Sequence, residues 1–249
     1  MTITDNSPAN KKVKRSSMPN WVSWLMRFFI MLMIPFLLAV GSARLVMNPA
    51  FLNFEYQRQG FPIDQYGLRV EDRLEYGPYG ILYIINNEPI EYLADLELPG
   101  NLCFPRRATP CQAFNSLELS HMYDVQVVAQ GLFMGALLGG IATALVGVLL
   151  VRWFGISALR LATMQGSMLT IGLIITIVLL AITAWDLFFS GFHGIFFEDG
   201  TWQFYYSDTL IRLYPEQFWF DASLVVGGLT VLGAVIILAF SLRLKLTDS

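Results

Sequence analysis

Charged side chains are scarce in this chain, 14% of 249 residues against 55% hydrophobic. A soluble globular domain carries about a quarter charged residues, so this balance argues against one and for an integral membrane protein. Histidine is rarer still, with His121 and His193 the only two. With no HExxH motif and no third histidine, a zinc centre lacks its usual ligand set, and no metal is expected. There is no GxSxG elbow, which removes the serine-hydrolase reading. No nucleotide-binding glycine motif, internal repeat or low-complexity run occurs, and no nucleic-acid partner is expected. Cysteine is confined to Cys103 and Cys111.

What is abundant is apolar sequence. A helix needs about 20 predominantly apolar residues to cross the hydrocarbon core. Four stretches reach that length and predict spans over residues 18–45, 129–151, 166–189 and 222–242. The first also has a signal-peptide feature, because "AVGSA" ends at Ala43 in a small-residue pattern. Its apolar core is longer than a signal segment, however, and contains Arg27 and Pro35. Trp21 and Trp24 stand at its start like an interfacial belt, which favours a retained anchor.

Basic residues orient the spans. Lys11, Lys12, Lys14 and Arg15 precede the first, Arg152 and Arg160 lie between the second and third, and Arg243 and Lys245 follow the fourth. If every run spans, all three groups share one side, which the positive-inside rule makes cytoplasmic. Residues 1–17 then form a disordered basic cytoplasmic tail, 152–165 a cytoplasmic loop and 243–249 a second cytoplasmic tail. The other side receives 46–128 and 190–221. The longer of these carries Glu71, Asp72, Glu75, Glu88, Glu91, Asp95 and Glu97.

Residues 46–128 are too many for a simple connection. Alternating pieces such as "GILYII" and "EYLADLEL", with turn signals at "NNEP" and "LPGN", predict a folded cap. The expected fold is an all-α membrane protein of four transmembrane helices with a small mixed α/β extracytoplasmic cap. The segment 190–221 is dense in aromatics, as an interfacial belt would be. Cys103 and Cys111 bracket "CFPRRATPC" on the outer side, where a disulfide is permitted and would stabilise by about 2–3 kcal/mol. Two unpaired thiols are the alternative.

The histidines flank a common boundary. His121 precedes the second span and His193 follows the third, so both belong at the outer end of the bundle. Neighbouring helix axes stand about 8–10 Å apart, which lets both imidazoles reach one substrate. Histidine accepts and donates protons near neutral pH, so the pair suits general acid–base chemistry. Glu118 at i−3 and Asp124 at i+3 share a helix face with His121, where a carboxylate could fix the imidazole tautomer. Trp202 and Asp208, with Glu198 and Asp199, follow His193. Arg44 sits at the outer end of the first span, away from the cytoplasmic cations, as a candidate clamp for a carbonyl or carboxylate. Interfacial polar residues, metal ligands and tetrapyrrole ligands are the other readings of the two imidazoles.

The stretch "LELSHMYDV" resembles the H-M-x-D-V signature of the bacterial lipoprotein intramolecular transacylase (Lit) family. "FHGIFFEDGTWQFYYSDTLIRLYPEQFWFDA" is similar to the second signature of that family, and "SARLVMN" and "EYL" also resemble it. The resemblance implies four membrane helices under an extracytoplasmic cap, with His121 and His193 as catalytic residues. It implies a protein of the bacterial cytoplasmic membrane that moves the sn-2 acyl chain of a diacylglyceryl-cysteine to the α-amino group of that cysteine. The implied partners are a diacylglyceryl-modified lipoprotein and membrane lipids. The two reacting groups belong to one molecule, so no cofactor is expected. Arg44 or Tyr205 would stabilise the oxyanion, and Glu118, Asp124, Trp202 and Asp208 would support the site. The basic tail, "CFPRRATPC" and much of the cap depart from the family pattern. A non-catalytic membrane subunit, or a lipid- or pigment-binding protein, is the competing reading.

Overall fold

The computed structural model describes residues 18–104 and 110–243. The expected basic tail over 1–17 and the residues after 243 lie outside them. Four helices among the described residues are long and apolar enough to cross a membrane: α1 (Asn20–Val46), α5 (Ser116–Phe154), α6 (Ile156–Thr183) and α9 (Glu216–Arg243). A helix satisfies its backbone internally, which is what hydrocarbon demands. The chain is a multi-pass membrane protein. Large apolar side chains such as Leu137, Val148, Leu179 and Phe240 remain exposed along these helices, as a lipid-facing surface requires.

The helices close up at small residues. A Cβ on Gly166 of α6 would lie 2.6 Å from Ile34 Cδ1 of α1; one on Gly227 of α9 would lie 2.7 Å from Val178 Cγ2 of α6. Such positions let backbones approach where lipid offers no hydrophobic driving force. Thr170 and Thr230, fully buried, donate their hydroxyls to the Gly166 and Val226 carbonyls at 2.8 and 2.7 Å, so these two donors are satisfied within their own helices.

α5 is 39 residues long. At 1.5 Å per residue that is about 58 Å, nearly twice the hydrocarbon thickness. Its first turns therefore rise into the cap. "NSLE" starts it with a capping box: Glu118 N–H donates to the Asn115 side chain at 2.9 Å, and Asn115 N–H donates to Glu118 Oε2 at 2.7 Å. Gln126 and Gln130, further along, donate to the carbonyls of Tyr83, Glu88 and Ile84 at 2.9, 2.8 and 2.6 Å. These bonds fasten the projecting part of α5 to the cap.

The cap is built from α2 (Pro49–Gln57), α3 (Val70–Asn86), α4 (Glu91–Ala94) and α8 (Thr209–Leu213). Leu52, Tyr56, Tyr83, Leu93, Phe114, Leu213 and Phe218 form its core. The expected mixed α/β cap is corrected here: no strand forms among the described residues. Only one antiparallel bridge, Glu97 with Gln112, joins two extended pieces, held by Leu98 N–H to the Cys111 carbonyl at 2.9 Å. The misleading segment is "GILYII". Its alternation is also compatible with a helix, and Tyr76, Gly77, Gly80, Ile81 and Ile84 are buried along one face of α3. Gly77 and Gly80 are needed there, since a Cβ would meet the Tyr56 and Tyr214 hydroxyls at 2.6 and 2.5 Å. Cys103 and Cys111 are joined as a disulfide beside the bridge.

Candidate active site

His121 sits two turns into α5 and is buried, 6% exposed. His193 sits on α7 (Trp185–Phe196), the helix that follows α6 outside the four spans. The two rings lie 6.2 Å apart between centroids and 22° from parallel. Aromatic rings wall them in. Phe197 and Phe204 stand 4.9 and 5.3 Å from His121; Phe189 and Trp202 stand 4.1 and 4.6 Å from His193.

Each imidazole has a distinct polar setting. His193 Nδ1 lies 2.8 Å from the Phe189 carbonyl oxygen. A carbonyl only accepts, so Nδ1 carries the proton and Nε2 keeps its lone pair. Burial pushes the His193 pKa below its ordinary value, and the Phe189 carbonyl opposes that by favouring the imidazolium. His121 Nδ1 is buried with no hydrogen-bond partner. The Trp202 indole nitrogen is likewise buried without a partner, on the ring that faces His193. Two unpaired polar groups in one aromatic chamber mark a place where a polar ligand belongs.

The other candidate residues fall in different places. Glu118 is fully buried, and besides closing the capping box its Oε1 accepts from Leu210 N–H at 2.7 Å. It thus pins the start of α5 to α8. Asp208, buried just before α8, accepts from Tyr205 N–H at 2.9 Å and from Asn115 Nδ2 at 3.3 Å. These two carboxylates organise the backbone on both sides of the chamber. Asp124 lies half-exposed one turn beyond His121. The Tyr205 side chain is 80% exposed, so only its backbone is engaged. Arg44 lays its guanidinium over the Phe133 ring, 5.6 Å from the centroid. Phe133 lies 12 positions beyond His121, about 18 Å along α5. Arg44 is therefore not drawn into the chamber.

Sequence reasoning missed Asn115, which links Glu118 to Asp208, although "NSLE" is a readable capping signal. It also missed the Phe189 carbonyl, for which a backbone atom leaves no signal. Arg212 is a third omission. Fully buried, it donates to Asp64 Oδ2 at 3.2 Å and to the Leu102 carbonyl at 3.0 Å, fixing α8 to the rest of the cap. A cavity of about 680 Å³, lined in part by Asp64, Arg73, Trp185, Arg212 and Phe220, opens nearby. The Trp185 ring stands 5.5 Å from that of Phe189, so the chamber and the cavity share an aromatic wall. Among the described residues no three His, Cys, Asp or Glu side chains converge as metal ligands would.

Comparison with known proteins bears on this arrangement. The family model of the lipoprotein intramolecular transacylase Lit matches residues 27–219. An uncharacterized protein of Aquifex aeolicus (strain VF5) is 28% identical over 214 residues, spanning 86% of this chain and 92% of its own. The membrane-integral lipoprotein intramolecular transacylase Lit from Bacillus cereus superposes with a TM-score of 0.70 at 18% identity, covering 92% of this chain and 98% of its own. A histidine-to-alanine variant of that protein superposes with a TM-score of 0.56 at 15% identity, covering 92% and 96%. At such identities the likeness concerns the fold.

Proposed function

The chain belongs to the lipoprotein intramolecular transacylase Lit family, and from that premise we propose that it carries out the reaction that name describes. In this proposal the sn-2 acyl chain of a diacylglyceryl-cysteine moves to the α-amino group of the same cysteine, giving an N-acyl lyso-form lipoprotein. The observation that carries the reading is the meeting of two imidazoles, from separate helices, in one aromatic chamber. The acid–base roles are assigned to His121 and His193.

The reaction suits that equipment. The cysteine α-amine has an ordinary pKa of about 7.7–8.0, so much of it arrives as ammonium. One imidazole takes a first proton, and the freed amine attacks the ester carbonyl carbon. The tetrahedral adduct carries a negative oxygen and a positive nitrogen. The second imidazole removes another proton from that nitrogen. As the C–O bond breaks, the first imidazolium protonates the sn-2 alkoxide. An amide and a hydroxyl result, and one proton is released to solvent. His193 is fitted to accept a proton because its Nδ1–H is already committed to Phe189. The Trp202 N–H, unpaired beside His193, is the donor for the developing oxyanion. Holding amine and ester of one molecule together contributes much of the acceleration, up to about 7–11 kcal/mol in well-oriented systems. The aromatic walls keep out water that would hydrolyse the ester.

The chamber is assigned to the outer face of the cytoplasmic membrane, with both termini inside, because Arg152 and Arg160 lie at the opposite end of the bundle and Lys11, Lys12, Lys14 and Arg15 precede α1 in the sequence. The test is mass spectrometry of lipoprotein N-termini from cells with and without the chain. Appearance of the N-acyl lyso form only with the chain is expected. Unchanged diacylglyceryl N-termini would contradict the proposal.

A further inference from the structure

The far end of the bundle holds another unpaired polar group. α1 and α6 meet tightly at Gly166, where a Cβ would lie 3.1 Å from the Met31 carbonyl oxygen. Beside this contact, Met26 and Ile30 of α1 pack in one cluster with Ala158 and Ala162 of α6. A cavity of about 210 Å³ opens there, lined by Trp24, Arg27, Phe28, Met31 and Gln165. Arg27 Nε is buried and has no hydrogen-bond partner among the described residues. Arg27 as a whole is half-buried; a guanidinium is always charged and only donates, so a buried N–H of it left unpaired on a membrane helix is costly. Among the described residues no carboxylate lines the cavity to neutralise it.

We propose that this crevice binds the phosphodiester of an anionic membrane phospholipid, with Arg27 as its cation and the Gln165 amide as a second donor. A phosphodiester supplies what the site lacks: negative charge and several acceptor oxygens in a compact group, matched to the fork of a guanidinium. Phosphate chemistry alone also fits a soluble anion. The rim decides for a lipid. Trp24 and Phe28 stack at 5.3 Å with their planes 7° apart, and both remain largely exposed, 55% and 42%. They offer an acyl chain an apolar strip that leads away from the headgroup. Charge favours an anionic lipid over a zwitterionic one. Lys11, Lys12, Lys14 and Arg15 precede α1 in the sequence, and Arg152 and Arg160 lie at the same end of the bundle. Such clusters attract anionic leaflets. The site is independent of the acyl-transfer chamber, since it uses none of its residues.

Native mass spectrometry of the detergent-purified full chain, titrated with phosphatidylglycerol, phosphatidylcholine or inorganic phosphate, tests the proposal. Wild type is expected to retain phosphatidylglycerol in preference to phosphatidylcholine. Arg27→Gln should weaken phosphatidylglycerol binding by about tenfold or more, the scale of a charge-assisted hydrogen bond. Gln165→Leu should weaken it by about two- to tenfold, the scale of a neutral one. Arg69→Gln, exposed in the cap and outside the crevice, should bind as wild type does. Equal binding of both lipids, or undiminished binding by Arg27→Gln, would overturn the proposal. Displacement of the lipid by inorganic phosphate at matched concentration would assign the crevice to a soluble anion and overturn the lipid. If Arg27→Gln does not fold, wild-type lipid selectivity and Gln165→Leu decide the same question.

Discussion

With its Nδ1–H held by the Phe189 carbonyl, His193 presents one lone pair to the chamber, and burial makes that nitrogen reluctant to hold a proton. A group that must be neutral to act as a base loses activity only when pH falls through its own pKa. Because the pKa of His193 lies below the ordinary imidazole value of 6.5, the acid limb it imposes on turnover should lie below that pH too. A pH–rate profile, corrected for the amine of the substrate, measures this; an acid limb centred above the ordinary value would contradict the setting described for His193. Trp202 makes a separate prediction. Trp202→Phe keeps an aromatic ring against His193 but removes the N–H, and loss of an oxyanion donor costs about 10²–10³-fold in rate. A rate within threefold of wild type, on a protein of unchanged melting temperature, would remove the indole from the oxyanion site. The two histidines were legible because both stand beside apolar runs and topology brings those ends together. The partner of His193 was not, since a main-chain oxygen has no residue identity.

At the scale of elements, the chamber depends on how α5 begins. Glu118 satisfies the N–H groups of Asn115 and Leu210, so it joins the first turn of α5 to the first turn of α8. Glu118→Ala should destabilise the fold by about 1–3 kcal/mol, because the buried Leu210 N–H and the half-buried Asn115 N–H lose their acceptor. Activity should fall with it, while half-exposed Asp124→Asn should stay close to wild type in both. Chemical denaturation beside the acyl-transfer assay separates the cases; a fully stable but inactive Glu118→Ala would instead place that carboxylate in the chemistry. That there are four membrane-length helices could be read from the sequence, because length and hydropathy alone select them; their ends could not, and α6 begins at Ile156, inside the expected loop over 152–165. The start of α5 could not be read from hydropathy, because its outer turns carry Glu118, His121 and Asp124 and look like loop. The capping box was the available signal. α3 was obscured differently: its Ile and Tyr residues suit either a strand or a helix, and burial against Tyr56 and Tyr214 selects the helix.

Across the whole molecule, four membrane helices carry a helical cap, and α5 threads both. The proposed orientation is checked by labelling single added cysteines with an impermeant maleimide in intact cells; Cys103 and Cys111, joined to each other, do not compete for it. Glu75→Cys and Glu198→Cys, both at exposed positions, should label from outside, and Arg152→Cys only after lysis. The reverse pattern would turn the bundle over and put the chamber on the wrong side for a lipoprotein. The central claim is that two histidines share the proton traffic of one acyl transfer. Its most direct test is mass spectrometry of a co-expressed lipoprotein with wild type, His121→Ala and His193→Ala, each shown to be folded by thermal melting. General acid–base groups contribute about 10²–10⁴-fold each, so the account predicts conversion to the N-acyl lyso form by wild type and none detectable with either variant. Conversion near the wild-type level by either folded alanine variant would contradict it.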